Sequence, residues 1–366
     1  MMKSLFVANL ALEETEGIFK KIKAQTESIG KNTGECRLVV REGKGTKIYN
    51  SDWKKTEYIN KSVCRVVRDL LRQEEYDFVY IRHMIPNVFL FLMLMLARKK
   101  HIKIFYEIPT YPYFGEQYKA AQKKYRAIVK ITLDIVLGPL IYFLSDVIVV
   151  IKSNSNVHMF KKMTEITNGV YTENIECKKH RENDKNVFRM VAVGTIYPYH
   201  GYDRILKGLA QCNEKIGDVE VEVHFVGQSN TMIRLQEYAK ELKLKKAFFH
   251  GVKTTKELNE MYDKFDVGLG CLALHRRNAD IDTTLKIIEY YCRGIPVVTS
   301  GISPMDSVND KYTVHVTDEE TAIDIEKIYW EFKKITDEDK RNIAYEARKV
   351  FSWDVIMQKL LNLYVE

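Results

Sequence analysis

Short runs rich in Val, Ile and Phe alternate with amphipathic stretches along nearly the whole chain. Such runs predict parallel strands buried on both faces and joined by covering helices. Strands are expected at Ser4–Leu10, Cys36–Arg41, Asp77–Arg82, Lys103–Glu107 and Val147–Ile151, and near Gly169–Tyr171. From Glu173 to Asn186 the periodicity stops and charge density rises, which marks a linker. The pattern then restarts, with strands at Phe188–Val193, Val219–Val226, Ala247–His250, Val267–Leu269 and Ile295–Thr299, and helices beginning near Gly201, Asn230, Thr254 and Thr284. At the end, Trp353, Ile356, Met357, Leu360, Leu361 and Tyr364 make one apolar stripe behind Ser352, a good N-cap. The pattern describes two α/β units with no close internal repeat.

Composition narrows this picture without changing it. The 366 residues suffice for two domains, and 46% hydrophobic with 29% charged residues is a globular composition. Six cysteines lack any Cys-x-x-Cys spacing, which argues against a zinc site or a disulfide framework. With no signal-peptide pattern at the N-terminus, the expected location is the cytoplasm. The formal charge of +8 suits phosphorylated substrates, anionic lipid or nucleic acid. No RNP-like aromatic motif and no helix-turn-helix pattern accompanies it, so no nucleic-acid partner is expected. Val88–Ala97 is apolar but too short to span a bilayer, and Ala127–Val150, broken by Lys130, Asp134 and Asp146, reads as a buried helix followed by a strand.

The most informative stretch runs from Thr283 to Val298. It reads as a helix with Thr284 as N-cap, a stripe of Leu285, Ile288 and Cys292, a stop at Gly294–Pro296 and a buried strand. Lys286 and Glu289 fit this least well. A cation in the first turn is disfavoured by the helix dipole unless an anion sits there. A bound diphosphate with a carboxylate one turn further in accounts for both residues; a solvated lysine and a loop-capping glutamate account for them equally.

Lys286-x-x-Glu289-Tyr290 followed by Gly294-x-Pro296-Val297-Val298 resembles the donor-site signature of the glycosyltransferase family 4 (group 1) enzymes, which have the GT-B fold. The resemblance implies an α/β chain of two facing Rossmann-like domains: an acceptor domain over 1–176, a linker over 177–186, a nucleotide-sugar donor domain over 187–350, and a C-terminal helix over 351–366 crossing back to the first domain. It implies that Glu289 binds the ribose hydroxyls and that the helix N-terminus faces the diphosphate. Ile281 stands eight positions before Glu289, where many members carry a first glutamate, so that role is vacant here.

Three strand ends extend the resemblance. Gly194 and Gly201 match the family's glycines around the diphosphate loop, but Thr195 and His200 occupy the places of its two phosphate-binding cations. Arg276, Arg277 and Lys286 are candidates to restore that charge. Gly227 ends a second strand, and Val252 and Lys253 follow a third, where family backbone contacts the nucleobase. Donor-binding candidates are thus Gly194, Thr195, Gly201, Gly227, Val252, Lys253, Arg276, Arg277, Thr284, Leu285, Lys286 and Glu289. Acceptor candidates are Gly17, Arg82, His83 and Tyr111. Glu107 stands where members often have a histidine touching the donor sugar, so the catalytic candidates are Glu107, His200 and Glu289. Asp280-Ile281-Asp282 is a formal Asp-x-Asp motif, but it does not directly follow a strand and reads as a polar loop.

The resemblance implies a metal-independent, retaining hexosyltransferase with no cofactor beyond its sugar-nucleotide substrate. The expected acceptor is a lipid-linked glycan in capsule, exopolysaccharide or other cell-surface polysaccharide assembly. Lys123, Lys124 and Arg126 beside Ile128, Val129, Ile131 and Leu133 fit peripheral binding at the inner face of the membrane, or a solvated edge. The alternatives are another sugar-nucleotide enzyme of epimerase type and a catalytically degenerate nucleotide-binding partner subunit.

Overall fold

The computed structural model describes residues 2–11, 17–51, 53, 54, 56–120, 123–178 and 186–364. It divides into two compact units. One comprises Met1–Lys152, Asn156–Tyr171 and Trp353–Glu366; the other comprises Ser153–Ser155 and Thr172–Ser352.

The first unit is built from strands β1 (Met2–Ala11), β2 (Gly34–Glu42), β3 (Gly45–Tyr49), β4 (Thr56–Ile59), β5 (Phe78–Arg82), β6 (Lys103–Tyr111), β7 (Val147–Lys152) and β8 (Met163–Glu165). Its helices are α1 (Gly17–Thr33), α2 (Val63–Gln73), α3 (Val88–Lys99), α4 (Phe114–Ala120) and α5 (Lys124–Leu144). One sheet has the order β4-β3-β2-β1-β5-β6-β7-β8. Alternation along β1 sends Leu5 and Val7 into one core layer, with Leu90 and Leu94 of α3, and Phe6 and Ala8 into the other, with Ile22 of α1. The expectation of a purely parallel sheet is corrected at one edge, where β3 and β4 pair antiparallel. No strand forms over Gly169–Tyr171; β8 pairs with β7 instead.

The second unit holds β9 (Val187–Val193), β10 (Lys215–Ile216), β11 (Val219–Val226), β12 (Ala247–Phe249), β13 (Val267–Leu269), β14 (Val297–Thr299) and β15 (Thr313–His315). Helices α6 (Tyr202–Gln211), α7 (Asn230–Glu241), α8 (Thr255–Tyr262), α9 (Leu285–Arg293), α10 (Asp306–Asn309), α11 (Ile325–Lys333) and α12 (Asp337–Phe351) cover it. The order is β10-β11-β9-β13-β14-β15, with β12 on β11. Strands β9, β11, β12 and β13 run parallel, so the loops after them emerge at one edge. Of the expected linker 177–186, residues 179–185 lie outside the described residues.

The last helix, α13 (Trp353–Asn362), belongs to the first unit. It buries Trp353, Ile356, Met357, Leu360 and Leu361 in the layer that contains α1. Asp354 in its first turn accepts hydrogen bonds from Ser28 and Lys31 of α1.

Helix α5 departs from its reading as a buried helix. Only Ala127, Asp134 and Ile141 are buried, a single seam spaced by seven. Ile128, Val129, Leu133, Ile135, Val136, Leu140 and Phe143 are exposed, Phe143 by 72%. Among the described residues it is the one helix long and apolar enough to cross a membrane.

Candidate active site

The loops at the carboxyl edge of the second sheet are locked together by backbone. Gly194 N–H donates to the Val226 carbonyl and Gly227 N–H to that of Gly251. Gly194 and Gly227 hold φ of 108° and 134°, conformations that glycine alone adopts readily. A Cβ at 227 would also collide with the Gly194 carbonyl, whereas Gly194 itself faces open space. After β9 a 3-10 turn over Pro198–His200 leads through Gly201, at φ 66°, into α6. Gly201 packs against the backbone of Leu272 and Ala273, so the loops after β9 and β13 touch.

Helix α9 lies across these loops. Six of its nine residues are buried, and only Leu285, Lys286 and Glu289 reach solvent. The expected stripe is thereby corrected: Leu285 is on the open face, while Ile287, Tyr290 and Tyr291 join Ile288 and Cys292 inside. Tyr290 ties the helix to the first loop, its hydroxyl accepting from Val193 N–H at 2.9 Å. Thr284 does not cap through its side chain; its hydroxyl donates instead to Asp282 Oδ1 at 2.7 Å. Asp282 is fully buried and also accepts from Cys271 N–H and the Thr299 hydroxyl. Asp280 accepts from Ser155 N–H and Oγ. Both carboxylates of the Asp-x-Asp motif are therefore taken up in shaping the loop.

Glu289 is held rather than free. Arg293, one turn on, donates to Glu289 Oε1 at 2.8 and 3.1 Å. Arg293 is buried, with its guanidinium 4.1 Å from the centre of the Tyr262 ring. Both bonds fall on Oε1, so the carboxylate is oriented without engaging Oε2.

His200 and Lys286 meet at the other side of this open face. His200 is buried, and its Nδ1 accepts from Tyr197 N–H at 2.9 Å. Its Nε2 lies 3.1 Å from Lys286 Nζ, which is also 3.1 Å from the Tyr202 hydroxyl. Burial drives the imidazole well below its usual range, aided by Lys286 and then Arg277. Burial likewise pushes the Lys286 amine down to about 8, against the pull of Cys271 and Asp282. The assignment of His200 as a group touching the substrate is corrected: both ring nitrogens face protein atoms, and the residue supports Lys286.

The two arginines separate. Arg276 grips Asp203 with two bonds of 2.8 Å and also donates to Glu320 and the Pro198 carbonyl. Its charge is spent on two carboxylates, which corrects its reading as a spare phosphate-binding cation. Arg277 lies over the Tyr199 ring at 4.8 Å and acts electrostatically on both His200 and Lys286. Thr195 follows Gly194 in the same loop. Val252 is 71% exposed beyond β12, and Lys253 pairs with Glu257 at 3.3 Å. Tyr202, Tyr290, Arg293 and Asp282 were not singled out as site residues from sequence. Tyr290 carried a signal as the last residue of the Lys-x-x-Glu-Tyr motif, and Asp282 as the second carboxylate of the Asp-x-Asp motif.

In the first unit, Arg82 ends β5, His83 follows it, and Tyr111 ends β6, the strand paired with β5. Gly17 opens α1 after β1 and faces open space. Glu107 is 0% exposed, between Arg82 at 3.2 Å and Lys21 at 3.4 Å, and accepts from Gln25 at 3.0 Å. Burial alone would raise its pKa, but Lys21 and Arg82 hold the carboxyl below the usual range. That enclosure corrects Glu107 as a catalytic residue: no atom of it is open to a substrate. His83 is partly open, with Nδ1 at 3.1 Å from the Tyr106 hydroxyl and Nε2 at 3.6 Å from buried Asp134.

Residues 187–329 match the group 1 glycosyl transferases. No curated protein matches the chain in sequence. Solved structures match it over its length. Sucrose-phosphate synthase from Thermosynechococcus elongatus aligns with a TM-score of 0.64 at 12% identity, covering 100% of this chain and 98% of that one. Anabaena Alr3699/HepE in complex with UDP-glucose aligns at 0.62 and 14%, covering 100% of both chains. WaaG, a glycosyltransferase involved in lipopolysaccharide biosynthesis, aligns at 0.61 and 12%, covering 98% of this chain and 99% of that one. The chain thus has the GT-B fold, and within its second unit residues 187–329 are similar to the group 1 glycosyl transferases.

Proposed function

We propose that the chain transfers a sugar, with retention and without a metal ion, from a nucleoside-diphosphate sugar to an acceptor hydroxyl. The observation that carries the reading is the open face of α9: on a helix otherwise buried, the residues left accessible include a cation in the first turn and a carboxylate one turn on. The helix N-terminus, Lys286 and Arg277 supply positive potential for a diphosphate leaving group. Glu289, oriented by Arg293 through Oε1, offers Oε2 to a pair of ribose hydroxyls. A neighbour of the same fold holds UDP-glucose.

A thermal-shift panel of UDP-, GDP-, ADP- and CMP-sugars in EDTA tests this. A donor at a hundred times its dissociation constant stabilises by about 2.7 kcal/mol. One nucleotide class is expected to shift the transition; none doing so sinks the donor-site reading. Proton NMR of the product anomer checks retention.

The acceptor is proposed to be lipid-linked, for use in cell-surface polysaccharide assembly. Support comes from α5, whose exposed apolar residues adjoin exposed Lys123, Lys124, Arg126 and Lys130. The Ala127–Asp134–Ile141 seam holds α5 on its own unit, so it lies in the interface rather than spanning. Vesicles containing phosphatidylglycerol are expected to sediment the protein and pure phosphatidylcholine far less. The double variant Val136→Glu/Phe143→Glu is expected to lose that binding while keeping its nucleotide shift. Unaltered sedimentation of the double variant would remove α5 from the membrane surface.

A further inference from the structure

The contact between His200 and Lys286 constrains where protons sit. The Tyr197 N–H donates to His200 Nδ1, so that nitrogen carries a lone pair. A neutral imidazole then has its hydrogen on Nε2, aimed at Lys286 Nζ 3.1 Å away. An ammonium has no lone pair to receive it, whereas a neutral amine does. Flipping the ring would place a carbon against Tyr197 N–H and lose that bond. Tyr202 completes the arrangement: its hydroxyl donates to the Leu269 carbonyl, leaving its lone pairs to accept from Lys286.

We infer that in alkaline solution Lys286 rests as a neutral amine accepting from His200, and takes up a proton when the donor's diphosphate binds beside it. The inference rests on the donor-site reading of α9 and adds how the site's charge is switched. The groups facing Lys286 make this sharp. Arg277 opposes a second cation; Cys271, Asp282 and Tyr202 lie on its protein side, and Asp282 is committed to Cys271, Thr284 and Thr299. A diphosphate adds negative charge on the open side and makes the ammonium favourable. Position 200, a histidine that stays neutral, thus delivers no charge itself and regulates the charge of position 286.

Isothermal titration with UDP and GDP, in two buffers of different ionisation heat, reads the protons exchanged per nucleotide bound. The amine's pushed-down value of about 8 sets the window. Near pH 9, uptake approaching one proton is expected, falling towards zero near pH 6.5, where the free protein already holds that proton. Affinity should weaken about tenfold more between pH 7 and pH 9 for the wild type than for Lys286→Arg, whose guanidinium stays charged. Binding heat at pH 9 with no dependence on buffer overturns the inference while leaving the donor site standing. No binding heat with either nucleotide, in a protein that also shows no shift in the thermal panel, overturns both. NMR titration of methylated lysines, with Lys286 assigned from the arginine variant, follows the resting amine without nucleotide. A midpoint near its usual value above 10 overturns the neutral resting state.

Discussion

Glu289→Ala is expected to raise the KM for the sugar nucleotide a hundredfold or more. A hydrogen bond to a charged group contributes about 1.5–3 kcal/mol, and the two ribose hydroxyls would both bond to Glu289 Oε2. Loss of about 2.7 kcal/mol corresponds to a factor of about a hundred. The protein should also lose stability, by about 1–3 kcal/mol, because Arg293 would remain buried without the carboxylate that partners it. Glu289→Gln separates the two effects: its amide oxygen still accepts from Arg293, while the ribose-facing position becomes an NH2 that can only donate, so a smaller stability loss than in the alanine variant is expected alongside weakened nucleotide binding. Arg293→Met is the reciprocal control, since it leaves the carboxylate charged but no longer aimed. Steady-state kinetics with the nucleotide found in the thermal panel, alongside urea unfolding of each variant, reads both quantities. An unchanged KM in the alanine variant, with stability reduced as expected, would make Glu289 a structural partner of Arg293 and nothing more.

The parallel strands were legible because burial on both faces demands uninterrupted Val, Ile and Phe, as in Val147–Ile151, and burial on alternate residues gives the period-two pattern of Val219–Val226. The antiparallel edge was not. β3 and β4 are short, and β4 reads Thr-Glu-Tyr-Ile with most of its residues exposed, so no apolar run announces it. Helix α5 misled for the opposite reason. Its apolar content matches that of a core helix, and only its neighbours reveal that burial among the described residues is confined to one seam.

The site was legible where local rules govern and obscure where tertiary contacts do. Gly294 stops α9 at φ 82°, as a glycine before Ile-Pro suggests. Thr284 looked like a cap because threonine usually is one, yet a buried aspartate two residues earlier claims its hydroxyl. Lys286 and Arg276 look alike as nearby cations. One reaches His200 from 86 positions away and the other grips Asp203 from 73, separations that no local pattern encodes. That geometry separates the lysine facing the open side from the arginine bound to carboxylates.

Glu107 poses the same question in the first unit, and a stability measurement answers it. The carboxylate is enclosed with two cations, Lys21 and Arg82, whose side chains are 6% and 10% exposed. Glu107→Ala is expected to destabilise the protein by about 3–5 kcal/mol, because it leaves two buried cations facing each other without a counter-charge. Burial already pushes the Lys21 amine down to about 8, so losing the carboxylate that supports its charge drives it further towards the neutral form. Replacing all three, as Lys21→Met/Arg82→Met/Glu107→Leu, should recover much of that loss, since apolar side chains of similar volume fill such sites without a desolvation penalty. Urea unfolding of the single and triple variants gives both numbers. If instead Glu107→Ala unfolds like the wild type and only turnover disappears, the carboxylate must reach the reacting sugar after a rearrangement, and its place among the catalytic groups is restored. A cluster that serves only packing predicts the reverse order of effects: stability falls first, and the triple variant regains it together with nucleotide binding, which depends on the other unit.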